Sequence, residues 1–298
     1  MCSLEVDPKR LERHVRKLCE EFFPRDAFHP ESLDRAAAWI RSQLEESGAR
    51  VSEQPFPVEG QSYRNLVASF GPETVERVVV GAHYDVWGEL PGADDNASGV
   101  AGLIELAHLL AVAPLSARVE LVAFTLEEPP AFGSAAMGSA VHARSLREAN
   151  ARVRAMLSLE MIGCFSDQPG SQQFPLPLLR LFYPGRGSFL ALAGRLTELG
   201  LLQRVRSSMR AASPLPVRTI AAPRGLFGID LSDNVSYWDQ GYPAIMVTDT
   251  AFFRNERYHT AADTPDTLDY ARMAEVVRGL CQAVVDLTRS RKPSTSTC

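Results

Sequence analysis

The stretch Val75-Glu76-Arg77-Val78-Val79-Val80-Gly81-Ala82-His83-Tyr84-Asp85, continued by Gly92-Ala93-Asp94-Asp95-Asn96-Ala97-Ser98-Gly99, decides the fold. The valine-rich run 75–81 predicts a buried strand, and its uninterrupted apolar character fits a sheet covered on both faces. The strand runs straight into a histidine and an aspartate. The glycine-flanked acidic loop that follows leads into an apolar run, which predicts a helix over 98–112 with Ser98 as a plausible N-cap.

Working outward, 8–20 and 31–47 read as amphipathic helices. In the second, Leu33, Ala36, Ala37, Ile40 and Leu44 recur at helical spacing and Gly48 stops the run. Strands are predicted over 51–58, 65–70, 118–124, 155–159, 217–222 and 244–247. Helices are predicted over 137–149, 187–201, 234–240 and 268–289. Apolar strands alternating with helices predict an α/β sheet with helices on both faces. Residues 1–30 read as an N-terminal helical extension, and the small polar tail 290–298 is expected to fray. Two stretches, 164–186 and 203–233, show no clear periodicity and are expected to surround a site.

The chain has 298 residues, with 31 basic and 36 acidic side chains and a net charge of −5. The absence of a basic excess argues against nucleic acid as a partner. Five cysteines, Cys2, Cys19, Cys164, Cys281 and Cys298, form no CxxC pair and read as free thiols in a reducing compartment. The first residues turn charged at once, and no run approaches the roughly 18–20 apolar residues needed to span a membrane. A cytoplasmic protein with no membrane partner is the resulting expectation.

The placement of acids and histidines carries the chemistry. Strand 75–81 leads to His83 and Asp85, strand 118–124 to Glu127-Glu128, and strand 155–159 to Glu160, with Tyr258-His259-Thr260 near the far end. In open α/β sheets ligands bind beyond the carboxyl ends of strands, so these groups can converge. Seen alone, Glu127-Glu128 reads as a solvated loop and Asp94-Asp95-Asn96 as turn and cap chemistry. Taken together, His83, Asp95, Glu128, Glu160 and His259 form a ligand set for a divalent metal, chiefly zinc. Asp95 suits a shared position, with His83 and Glu160 on one ion and Glu128 and His259 on the other. Glu127 is left over as a general base. His14, His29, His108 and His142 read as surface or satisfied core residues. Trp238, Phe252 and Phe253 are candidates for an apolar pocket, with core packing the bland alternative.

The motifs Gly81-Ala82-His83-Tyr84-Asp85, Gly92 to Gly99, Phe124-Thr125-Leu126-Glu127-Glu128 and Tyr258-His259-Thr260 resemble the co-catalytic zinc aminopeptidase family, metallopeptidase family twenty-eight. That family includes bacterial leucyl aminopeptidases and glutamate carboxypeptidase, with glutaminyl cyclases and transferrin receptors as relatives. The resemblance covers about residues 30–288. It implies a single α/β domain built on a central mixed, mostly parallel sheet. It also implies two zinc ions sharing Asp95, with ligands His83, Asp95, Glu128, Glu160 and His259, and Glu127 as general base. Asp85 would hydrogen-bond His83 and fix its tautomer, and Tyr258 would donate to the substrate carbonyl. A cis Asp95–Asn96 peptide is implied as well. Two departures stand out. Many members have aspartate at position 160, where this chain has glutamate, and many read Ser-Asp-His where Ser232-Asp233-Asn234 stands here.

The expected activity is that of a metal-dependent exopeptidase, an aminopeptidase acting on peptides with a free N-terminus. A glutaminyl cyclase, a single-zinc acyl transferase, is the nearest alternative, but such enzymes carry tryptophan where Tyr258 stands. A non-catalytic binding domain of the same fold normally shows broken ligands, and all five are intact here.

Overall fold

The computed structural model describes residues 5–289, so the expected frayed tail and the cysteines Cys2 and Cys298 lie outside the described residues. In chain order the elements are α1 (Pro8–Arg16), α2 (Pro30–Glu46), β1 (Arg50–Val58), β2 (Gln61–Phe70), β3 (Glu76–His83), α3 (Gly99–Leu110), β4 (Arg118–Phe124), α4 (Gly138–Glu148), β5 (Arg152–Glu160), β6 (Leu190–Gly194), α5 (Leu199–Ala212), β7 (Val217–Ala221), α6 (Asn234–Asp239), β8 (Ala244–Thr248) and α7 (Tyr270–Thr288). The strands form one eight-stranded sheet in the order β1-β2-β4-β3-β5-β8-β6-β7. The central run β4-β3-β5-β8 is parallel. The hairpin β1–β2 and the pairing of β6 with β8 are antiparallel, which makes the sheet mixed, as expected.

Alternation along the strands sorts side chains onto two apolar layers. Val78, Val80 and Ala82 of β3 face the layer formed with α2, α3 and α7, whereas Val79 faces the layer formed with α4 and α6. Helices thus cover both faces. The hairpin closes through Glu59 and Gly60, both at positive φ (52° and 84°), the conformation that matches strand twist in a two-residue turn. Pro55 and Pro57 sit on edge strand β1, where a missing N–H breaks no central ladder.

One predicted element is corrected. The expected helix over 187–201 is instead strand β6 followed by α5, and α5 runs on into the first part of the stretch 203–233 that reads as patternless. The run Leu190-Ala191-Leu192-Ala193-Gly194 is buried throughout, between β8 and β7. Periodicity cannot separate such a strand from a buried helical turn. In α5, Leu202, Val205 and Met209 form the buried stripe, and Met209 packs against Gly279 of α7. Stretch 164–186 is a long loop with one short 3₁₀ turn, Pro177–Leu181.

Residues 5–30 are built into the domain rather than appended to it. Arg25 is buried and donates to the carbonyls of Leu18, Tyr84, Pro91 and Gly92, tying the N-terminal segment to the loop after β3. Gly92 in that loop has φ 57°, and a Cβ there would lie 2.3 Å from the Asp95 carbonyl oxygen. His14 reaches Glu105 of α3 at 3.2 Å, and His142 meets the Tyr237 hydroxyl at 2.7 Å; both are satisfied core histidines. Among the described residues no helix is long and apolar enough to cross a membrane.

Candidate metal centre

The carboxyl ends of β3, β4 and β5 lie side by side, so His83, the Glu127-Glu128 pair just past β4, and Glu160 converge. His83 Nε2 is 3.4 Å from Asp95 Oδ1, 3.4 Å from Glu160 Oε2 and 3.8 Å from Glu127 Oε2. On the other side, His259 Nε2 is 3.0 Å from Asp95 Oδ2 and 3.2 Å from Glu128 Oε1. The two oxygens of Asp95 therefore face two different trios. Each trio, His83/Asp95/Glu160 and Asp95/Glu128/His259, offers atoms within 4.8 Å of one another.

Physical chemistry favours cations here. His83 Nε2 and Asp95 Oδ1 are buried without a hydrogen-bond partner, a condition that a bound ion relieves. Among the described residues no lysine or arginine pairs with Asp95, Glu127, Glu128 or Glu160. Burial, reinforced by the Asp95 charge, pushes Glu128 up to about 7. Burial likewise holds Glu127 well above the usual carboxylate range, helped by Glu160 and Glu128. For His259 burial opposes the charge, but hydrogen bonds to Asp95 and Glu128 prevail and raise it to about 9. These are the signs expected where negative charge is crowded without a counterion. The donor set, two imidazoles and three carboxylates, is one that zinc accepts.

Backbone hydrogen bonds aim the groups. The Asp95–Asn96 peptide is cis, as expected. Asp263 accepts the N–H of Asp94 (3.0 Å) and of Asp95 (3.1 Å), and Asp94 accepts the Gly163 N–H at 2.9 Å. Asp85 departs from its expected contact. The His83 Nδ1 partner is the main-chain oxygen of Asp85 at 3.1 Å, while the carboxylate is 3.7 Å away. That carboxylate instead accepts the N–H groups of Glu127 (3.2 Å) and Glu128 (3.1 Å), orienting the acidic pair. Ser98 stands at the N-cap position of α3, as expected, but its side chain makes no capping hydrogen bond. Its hydroxyl donates to the Asp94 carbonyl, and Asn96 Oδ1 accepts the Gly99 N–H.

Glu160 reaches its trio despite the extra methylene, with its Oε2 accepting from Ser232 Oγ at 2.8 Å. Tyr258 stacks on His259, ring centroids 3.8 Å apart, and Trp87 stacks on His259 at 4.8 Å. Burial, then the Asp95 and Glu128 charges, raise the Tyr258 phenol and keep it a donor. Beside the trios lies a cleft lined by Glu160, Tyr258, Phe252 and Phe253 among others. Trp238 is elsewhere, packed in the core with Nε1 donating to the Ala244 carbonyl. Sequence reasoning missed Asn96, Ser232 and Asp263 as positioning groups. Asn96 and Ser232 each lie within a noted motif, whereas nothing in the sequence marks Asp263.

Comparison with known proteins agrees with this geometry. The chain is 44% identical over 283 residues to the uncharacterized protein YfbL of Escherichia coli (strain K12), covering 92% of this chain and 87% of that protein. It is 27% identical over 258 residues to a probable leucine aminopeptidase of Arthroderma benhamiae, covering 80% of this chain but 62% of that protein. Among solved structures, the Legionella pneumophila LapA aminopeptidase superposes with TM-score 0.77 at 18% identity, over 96% of this chain and 73% of that one. A zinc aminopeptidase from Bacillus subtilis gives 0.75 at 15% identity, over 98% and 97%. The Fimbriiglobus ruber glutaminyl cyclase gives 0.69 at 24%, over 95% and 96%. These structural likenesses speak to the fold. Residues 65–284, which span β2 to α7 and every member of both trios, match the peptidase family M28, and the chain belongs to that family.

Proposed function

We propose that this chain is a zinc-dependent aminopeptidase that removes N-terminal residues from peptides. The observation that carries the reading is Asp95, with one carboxylate oxygen turned toward each trio. His83, Asp95 and Glu160 would hold one zinc, and Asp95, Glu128 and His259 a second. Bound there, zinc supplies Lewis acidity toward the scissile carbonyl and toward a water. Glu127 belongs to neither trio yet lies at their edge, 3.8 Å from His83 Nε2. It takes the proton of the attacking water and passes it to the leaving amine. Tyr258 donates to the carbonyl oxygen as charge develops. The surrounding carboxylates attract the substrate's α-ammonium. Three free buried cysteines, Cys19, Cys164 and Cys281, fit a reducing compartment such as the cytoplasm.

The test compares aminoacyl-nitroanilides with an N-terminal glutaminyl peptide, with and without chelator. Chelator-sensitive release of free amino acids, lost when the substrate amine is acetylated, is the expected result. Cyclisation of the glutaminyl peptide with no amino acid released would replace this reading with an acyl transferase.

A further inference from the structure

The cleft beside the trios has an unexpected far end. Its floor is one row of residues aligned across four strands: Glu160 of β5 pairs with Thr248 of β8, Thr248 with Ala191 of β6, and Ala191 with Arg218 of β7. Partners in a ladder project to the same face, so all four side chains point into the same space, and all four line the cleft. Three inter-strand steps put about 14 Å between the ends of the row. The small Ala191, and Ala193 beside it, leave the middle of this floor as a trough.

Arg218 has no hydrogen-bond or ion-pair partner among the described residues, and its Nε is buried and unsatisfied. The rest of the lining is largely apolar, with Phe174, Phe227 and Phe252 among the walls. A guanidinium that meets a carboxylate in such surroundings binds it more strongly than in water, in a two-pronged geometry that no amide reproduces. The nearer end of the row carries the opposite charge, the carboxylate cluster that attracts an ammonium. A ligand with its ammonium near the trios and a carboxylate further along matches both ends.

Resting on the aminopeptidase reading, we infer that Arg218 determines specificity by binding a substrate carboxylate at the far end of the cleft, in first place the side chain of an N-terminal glutamate. The same chemistry can come from the α-carboxylate of a dipeptide, and the assay separates the two sources.

Wild type, Arg218→Gln and Arg218→Lys are compared in two ways. Hydrolysis is measured for glutamyl-, glutaminyl- and leucyl-nitroanilide, and for Leu-Leu against Leu-Leu amide. Binding of free glutamate, glutamine and leucine is measured by calorimetry. Wild type is expected to favour the glutamyl over the glutaminyl nitroanilide by about 10-fold or more in kcat/KM. Arg218→Gln brings that ratio near one with leucyl turnover little changed, and Arg218→Lys keeps part of it. A preference for Leu-Leu over its amide that vanishes in Arg218→Gln assigns the carboxylate to the peptide terminus instead and still supports a carboxylate-binding role. Hydrolysis whose ratios are the same in wild type and Arg218→Gln overturns the inference and leaves the aminopeptidase reading standing. If no substrate is cleaved, that reading fails, and calorimetry still decides the role of Arg218. Glutamate bound more tightly than glutamine only in wild type supports it, and equal binding overturns it.

Discussion

Ser232 Oγ donates a 2.8 Å hydrogen bond to Oε2 of Glu160 and sits 2.9 Å from Ser158 Oγ, so the carboxylate oxygen that faces His83 is held from the loop that precedes α6. Support of this kind fixes the orientation of a metal-binding carboxylate, and its removal typically costs 10–100-fold in affinity. Ser232→Ala is therefore expected to weaken zinc binding at the His83/Asp95/Glu160 trio by about that factor, read by chelator competition. Affinity equal to wild type would show that the extra methylene of Glu160 positions itself without help.

The adjacent acids Glu127 and Glu128 have separate fates. Glu127→Gln is expected to keep metal content near wild type while kcat falls at least about 10²-fold, the scale of lost general-base catalysis. Glu128→Gln is expected to lose metal, because Glu128 Oε1 lies with Asp95 in the His259 trio. Elemental analysis beside kinetics decides the matter. Equal metal loss in both variants would mean that the two roles are wrongly divided.

Tyr258 stacks against His259 and lines the cleft, with its phenol held in the protonated form. Tyr258→Phe keeps the stacking and removes the donor. A fall in kcat of about 10–10³-fold with KM much less changed is the expected signature of a lost oxyanion partner. A change confined to KM would instead mark the hydroxyl as a ground-state contact.

His83, Glu128 and Glu160 were legible in the sequence because they stand at or just past strand ends that the sheet aligns, whereas Asp95 and His259 lie in loops and were marked by their motifs. What holds them in place was much less legible. Asp263 binds the backbone of Asp94 and Asp95 from about 170 positions away, and nothing around Asp263 marks it for that task. Asp85 was expected to use its carboxylate on His83. The chain turns so that its carbonyl does that work and the carboxylate reaches Glu127 and Glu128. Asn96 rather than Ser98 supplies the side-chain oxygen for the Gly99 N–H, because the backbone is non-helical at Asp95 and Asn96. In the fold, β6 was hidden by its own burial, since an apolar run of five residues without a polar face shows no period. The charge at the end of the cleft was also invisible: Arg218 becomes notable only once β6 and β7 pair and bring Ala191 alongside it.

The link between α4 and α6 gives the fold an acid sensitivity that the site inherits. His142 of α4 is fully enclosed and meets the Tyr237 hydroxyl of α6 at 2.7 Å; burial, aided by Arg77 and Arg118, lowers its pKa from 6.5 to about 3. The unfolded chain binds a proton at this position below pH 6.5, whereas the folded chain does not until about 3. Stability from this residue is thus fully present above pH 6.5 and falls as pH drops, by about 1.4 kcal/mol per unit until the folded group itself titrates. In His142→Gln that component is absent. With chelator present in both samples, so that metal release does not enter, the stability advantage of wild type over the variant should shrink by about 2 kcal/mol between pH 7.5 and pH 5, measured by urea unfolding. A difference that stays constant over this range would mean that His142 takes up its proton inside the folded protein, and that the α4–α6 contact accommodates an imidazolium.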